Sequence, residues 1–290
     1  MANSIALFKQ YIDLLDEVYR LESKTSMFDI DSKLVRAGAN ANQIVIPKMS
    51  MDGLADYNRS SGYVAGDVTL TMETVEFNYD RGRKFTVDAM DNAETAGVAF
   101  GSLAAQFIRD KVVPELDAFR MATYASVSGI SGAVGNVSSG SAAIAALRTA
   151  ISAMDEAEVP EESRVLFVTP SIYGMIEDLD TNKSREVMNR FSKIVRMPQT
   201  RFYTAIDLYD GTSSGETAGG YIKDATNGKD INFMIIEKSA VIQYAKHTVS
   251  KVIAPEDNQS ADGWAFAYRA YNLCDVYENK TAGIYLHRKS

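Results

Sequence analysis

The feature that most constrains this chain is a stretch of β pattern that cannot bury itself, followed at once by a very long helical pattern. Gln43–Pro47 reads as a short strand, and Asp52–Gly66 is polar and rich in turn residues. Beyond it Val68, Leu70 and Met72 share one parity, while Val75, Phe77 and Tyr79 share the other. Alternation predicts a strand with one face covered. The switch of phase between Met72 and Val75 predicts a bulge or a twist. Asp80-Arg81-Gly82 predicts a turn, and Phe85 and Val87 open another short strand. The apolar residues of 43–90 are too few and too spread out to form a core. A strand pair of this kind is marginal by itself, so it must lie across another surface.

The helical pattern starts at Asp91, with Glu94 as the partner of a capping-box variant. Phe100, Ala104, Phe107 or Ile108, Val112, Leu116, Phe119 and Thr123 keep helical spacing to about Tyr124, a length of roughly 45 Å. Pro114 inside this run predicts a kink or a division. Residues 126–140, rich in Gly, Ser and Ala, read as a flexible connection. A helix capped by Ser141 follows, then a buried strand at 164–168 and a helix opened by Thr169-Pro170. After the charged segment 180–193 come a strand at 202–206, an exposed loop at 210–220 and a buried strand at 230–237. Further β pattern covers 240–245, 249–254 and 264–268, and a last strand lies at 282–287. At the other end, Ile5, Phe8, Ile12, Leu15 and Tyr19 make an amphipathic helix after Ser4. It docks either on its own domain or on a neighbouring subunit, and the pattern does not separate the two.

Motifs of chemistry are missing. His247 and His287 stand in no recognisable motif, and there is no HExxH, CxxC, GxSxG, Walker loop or GxGxxG. Asp178-Leu179-Asp180-Thr181-Asn182 starts like a calcium loop but lacks the Gly and Glu that complete one, so it reads as a solvated helix end. The single cysteine, Cys274, rules out an intrachain disulfide; its neighbours Tyr271, Leu273 and Val276 favour a buried thiol over a nucleophile. The net charge of −8 argues against a dedicated nucleic-acid binder. Arg81, Arg83 and Lys84 form a small basic cluster that is better placed to meet a neighbouring subunit, or solvent, than nucleic acid. No run approaches the length of a membrane span, and the N-terminus has no basic, apolar signal pattern.

The order of these parts resembles the Hong Kong 97 type fold of tailed-bacteriophage major capsid proteins and encapsulins. The resemblance is carried by 66–73 (GDVTLTME), by 80–88 (DRGRKFTVD), by Asp91–Thr95 entering the helix, by 112–117 (VVPELD) and by the Thr169-Pro170 step. It implies an α+β chain with an N-terminal arm (1–42), an extended β-hairpin E-loop (43–90), a P-domain with its spine helix (91–140), an A-domain (141–240) and return strands (241–290). It further implies a structural protein and not an enzyme, without cofactor. Its copies would form the hexamers and pentamers of an icosahedral phage head, assembled in the host bacterial cytoplasm and enclosing double-stranded DNA. Contacts between copies are expected from Ile5, Phe8 and Ile12 of the arm, from Asp56, Tyr57 and Arg59 of the loop tip, and from Arg81, Arg83 and Lys84. The short arm beginning at Met1 implies a separate scaffolding protein, beside a portal. An encapsulin-type compartment shell is the alternative. Members of the family that cross-link join a Lys of the E-loop to an Asn of the P-domain; no motif assigns Lys48, Asn272 or Asn279 to that reaction.

Overall fold

Every residue of Arg164–Val168 and of Ile231–Glu237 is buried, so both runs must lie inside a sheet covered on its two faces. The computed structural model describes residues 23–29, 36–37, 43–94, 98–179, 181–259 and 261–290. Its strands are β1 (Arg36–Ala37), β2 (Gln43–Met51), β3 (Val68–Glu76), β4 (Tyr79–Asp88), β5 (Ser131–Val134), β6 (Arg164–Val168), β7 (Lys193–Arg196), β8 (Ile206–Leu208), β9 (Tyr221–Lys223), β10 (Ile231–Glu237), β11 (Val241–Ile253), β12 (Gly263–Val276) and β13 (Ile284–Arg288). Its α-helices are α1 (Ala89–Glu94), α2 (Val98–Phe107), α3 (Val113–Ser126), α4 (Gly140–Glu156), α5 (Pro170–Glu177) and α6 (Asn182–Met188).

The central sheet has the order β5-β13-β10-β6-β7. One face packs on α4, α5 and α6 through Ile144, Leu147, Ile151, Ile172 and Val187. The other packs on α3 through Met121 and Tyr124. A second sheet, β11-β12-β4, lies against α2 and α3, with Tyr79, Phe266 and Tyr268 meeting Ala104, Ile108 and Leu116. The long helix therefore touches both sheets and ties the molecule together.

Pro114 acts differently from a simple kink. Between α2 and α3 the chain makes a π turn over Ile108–Val112, and the Val113 N–H bonds back to the Ile108 carbonyl. A proline has no N–H to donate and its ring crowds the carbonyl four residues back. The wider turn just before it absorbs that conflict, and the helix continues.

Three local expectations fail for identifiable reasons. No turn forms at 80–82: β4 runs straight through, pairing Gly82 with Arg269. A Cβ on Gly82 would stand 2.7 Å from the Tyr268 carbonyl oxygen, so this glycine serves close strand approach and not a bend. The chain turns instead at Phe77-Asn78, and the excursion over 43–90 divides there between two sheets. No bulge separates Met72 from Val75, because β2 and β3 pair in unbroken register from Gln43–Glu76 to Met51–Val68. The covered face does change, as one of the two expectations had it: Val75 is buried on one side of the pair, while Leu70 and Met72 lie exposed on the other. The connection over 126–140 is partly ordered as β5, which pairs in parallel with β13.

Smaller shifts follow the same logic. Ser139, two residues earlier than the expected Ser141, caps α4 by accepting from the Ala142 N–H at 3.2 Å. Phe202 is a buried loop residue, and the strand near it starts at Ile206. The two β patterns after 240 are one strand, β11, with a register shift between Ala245 and His247. The charged segment holds a short helix, α6, closed by a reciprocal Thr181–Ser184 capping box.

Candidate assembly surface

The hairpin β2–β3 is apolar on one face at its root and on the opposite face farther out, and only the root is covered. There Ile44 and Val75 are buried against Ile242 and Leu273. Gln43 donates to Glu76 at 2.8 Å, and Lys48 pairs with Glu278 at 3.0 Å. Asn78 fixes the turn below by donating to the Cys274 carbonyl at 2.7 Å and accepting from the Cys274 N–H at 3.2 Å. Further out, Met49 faces Leu70 and Met51 faces Val68 across the pair, with Met72 beside them. Directly opposed residues share a face, so these five form one stripe. All five are between 54% and 66% exposed. Covering each would contribute roughly 1–2 kcal/mol, and nothing among the described residues covers them.

The tip is shaped by its own backbone. Asp52 and Asp67 close it: the Asp52 N–H donates to the Asp67 carbonyl at 3.1 Å, and the Asp67 N–H to the Asp52 carboxylate at 2.8 Å. Asn58 and Gly62 bridge each other, and the Asn58 side chain accepts from Ser60 N–H at 2.8 Å. Tyr57 and Tyr63 stack edge-to-face with ring centroids 4.9 Å apart. Leu54 is fully exposed and Tyr63 is 90% exposed. Asp56, Tyr57 and Arg59 thus lie together at the tip, as their positions in the sequence require. Ile5, Phe8 and Ile12 lie outside the described residues.

Arg81, Arg83 and Lys84 are not on the tip but on β4. Arg81 is committed within its own subunit: it pairs with Glu115 at 2.8 Å and donates to the carbonyls of Tyr209 (2.7 Å) and Gly220 (3.2 Å). Arg83 donates to the Thr217 carbonyl at 3.0 Å. The pair clasps both stems of the 209–220 loop. Lys84 is exposed on the opposite face of the strand.

A polar knot that sequence reasoning missed holds the segment 23–29 to the long helix. Asp117, fully buried, accepts from Ser23 Oγ (2.8 Å), Thr25 Oγ1 (2.7 Å) and Lys24 N–H (3.0 Å), with Arg201 at 3.5 Å. Arg120 donates to Thr25 Oγ1 and Asp29, and Gln243 donates to the Thr25 carbonyl and Asp29. Tyr124 completes it by donating to Gln243 at 2.9 Å. The signal available was Asp117 and Arg120 inside an otherwise apolar helix face, since such charges are buried only when paired.

Groups suited to chemistry are spent on structure. Cys274 is buried, which pushes its thiol up to about 11. His287 stacks on Phe233 at 4.9 Å, meets Asn232 at 2.9 Å, and its pKa is lowered by burial. Among the described residues no three His, Cys, Asp or Glu side chains are grouped to hold a metal, and no helix is long and apolar enough to cross a membrane.

No protein-family model matches this chain, and no curated protein does either. Solved structures do. The capsid of the cyanophage P-SCSP1u superposes with a TM-score of 0.58 at 12% identity, over 88% of this chain and 85% of that one. The virus-like particle from Pyrococcus furiosus gives 0.55 at 11% identity, over 94% and 95%. The capsid of the Myoviridae phage XM1 gives 0.54 at 11% identity, over 86% of each chain. This chain has the Hong Kong 97 type capsid fold.

Proposed function

We propose that this chain is the major capsid protein of a tailed bacteriophage, a structural protein without catalytic activity. Its copies assemble into hexamers and pentamers of an icosahedral head that encloses double-stranded DNA. Assembly takes place in the host bacterial cytoplasm with a separate scaffolding protein and a portal, and the finished protein resides in the virion. DNA is held without reading its sequence, consistent with the acidic balance of the chain. The observation that carries this reading is the uncovered stripe on β2–β3. A soluble subunit that projects an apolar face beyond its own core gains stability when a neighbour covers it. A head-to-tail contact repeated around an axis closes into a ring.

A cellular shell of the encapsulin type is the second reading. The similarity to the virus-like particle from Pyrococcus furiosus, over 94% of this chain and 95% of that one, supports a closed shell under either reading. Expression followed by sizing and electron microscopy tests the proposal. Closed particles that package nucleic acid support the phage head, and particles filled with a cargo enzyme support the compartment. A stable monomer with β2–β3 folded back on its own body would sink both.

A further inference from the structure

We propose that His287 and Asn232 form an acid-sensitive latch on the segment that joins the long helix to α4. The latch belongs to the fold itself and does not depend on shell formation. Residues 127–139 are the stretch of chain between the end of α3 and the start of α4. They are held at the edge of the central sheet by β5, which pairs in parallel with β13 from Tyr285–Ser131 to Arg288–Val134. The Gly135 N–H extends the pairing by donating to the Arg288 carbonyl at 2.9 Å. Asn232, buried on β10, then closes it. Its Nδ2 donates to the Gly135 carbonyl at 2.8 Å and lies 2.9 Å from His287 Nδ1. Four residues after Gly135, Ser139 caps α4.

The geometry fixes where the protons are. Turning the Asn232 amide over would set its oxygen against the Gly135 carbonyl oxygen, two acceptors in contact, so the NH2 group must face both partners. One of its hydrogens serves Gly135 and the other serves His287. His287 Nδ1 is therefore an acceptor, and the ring hydrogen is on Nε2. A protonated imidazole carries a hydrogen on both nitrogens. It would press N–H against N–H at Nδ1, and the contact has to open. Either the ring leaves its stack on Phe233, or Asn232 turns and drops the Gly135 carbonyl. Among the described residues nothing around the ring makes up for that loss. β10 offers Phe233 and Asn232, and β5 offers Ala133 and Gly135, none of which ionises. The side chains of α4 and α5 on this face, Ala143, Ile144, Leu147 and Ile172, are apolar. The face also carries Tyr285, whose phenol is kept neutral because burial raises its pKa, and Tyr173, which lies under the Arg196 guanidinium at 5.4 Å. Next along β13, Arg288 is a cation, and Lys289 beyond it pairs with Asp230. Burial accordingly lowers the His287 pKa from its ordinary 6.5. The folded chain binds this proton less tightly than the unfolded one, so the latch is closed at neutral pH and weakens as pH falls below that ordinary value.

Hydrogen exchange and histidine NMR on the full chain test this. With the intrinsic pH dependence of exchange removed, protection of 131–139 is compared with that of the buried strand 164–168. The ratio is expected to fall by up to about tenfold for each pH unit below the ordinary histidine value, the slope for one proton. His287→Gln can still accept from Asn232 through its amide oxygen but takes up no proton, and it is expected to remove that dependence. Imidazole 15N shifts are expected to show Nδ1 bare and Nε2 protonated at neutral pH. A ratio that stays constant through the His287 titration overturns the latch. So does an Nδ1 that carries the hydrogen at neutral pH, or a His287→Gln chain that keeps the full pH dependence. Should that variant fail to fold, the exchange ratio and the ring shifts of the unsubstituted chain decide by themselves.

Discussion

Single residues in this chain are chosen for what presses against them. Asp117 is the clearest case: a carboxylate with no exposure is tolerable only because the 23–25 segment supplies four donors and Arg201 a charge. Asp117→Ala should cost about 3 kcal/mol, the scale for stranding one side of a buried charged network. Urea unfolding of the subunit measures the loss, and hydrogen exchange should show residues 23–29 released from the helix. Gly82 answers to a different pressure, the Tyr268 carbonyl 2.7 Å from where a Cβ would stand. Gly82→Ala should destabilise by about 1–3 kcal/mol through forced separation of β4 from β12. A variant as stable as the parent would show that the strands can part freely there.

Elements differ in where their support comes from. The hairpin β2–β3 belongs to the subunit at its root, as far as the Lys48–Glu278 pair, and its outer apolar stripe is exposed. Ile44→Ala, at the buried root, should therefore lower subunit stability by about 2–5 kcal/mol. Leu70→Ser, on the exposed stripe, should change it by no more than about 0.5 kcal/mol while abolishing assembly. Paired thermal melts and particle yields separate the two effects. The root also carries a pH response. Burial raises the Glu73 carboxyl above its ordinary 4.5, with the charges of Glu278 and Asp275 adding to it and the Glu278 N–H and Lys48 opposing. Burial likewise raises Asp275, with Glu278 adding. A carboxyl raised in the folded state binds its proton more tightly there than when unfolded. Its penalty is thus largest at neutral pH and is relieved as pH falls through the raised value toward the ordinary one. After correction for the intrinsic pH dependence of amide exchange, protection of the hairpin root should be greater just above the ordinary carboxylate range than at neutral pH, and Glu73→Gln should flatten that difference.

The whole molecule is a finished core with an unfinished edge, and its stability should depend on company. Assembled shells should melt higher than subunits, with a midpoint that rises with protein concentration, as scanning calorimetry over a dilution series would record. A midpoint independent of concentration would mean that the subunit is complete alone. Much of this was legible in the residues themselves. Periodicity marked the buried strands 164–168 and 231–237, the long helix and the hairpin, because one covered face leaves its imprint on every second or every third and fourth residue. The alternating residues of 43–90, too few to form a core, implied a surface completed from outside their own segment. Other features were decided by contacts distant in the chain. Whether Gly82 bends or extends depends on Tyr268, nearly two hundred residues away. Whether Met72 and Val75 sit on a bulge or in plain register depends on β2 and on where Ile242 and Leu273 stop covering the strand. Arg81 looks like a surface cation in its own sequence window, and only the loop folded over it makes it an internal clasp. Local pattern records which face is covered; only the tertiary fold settles by what, and for the outer hairpin nothing among the described residues provides the cover.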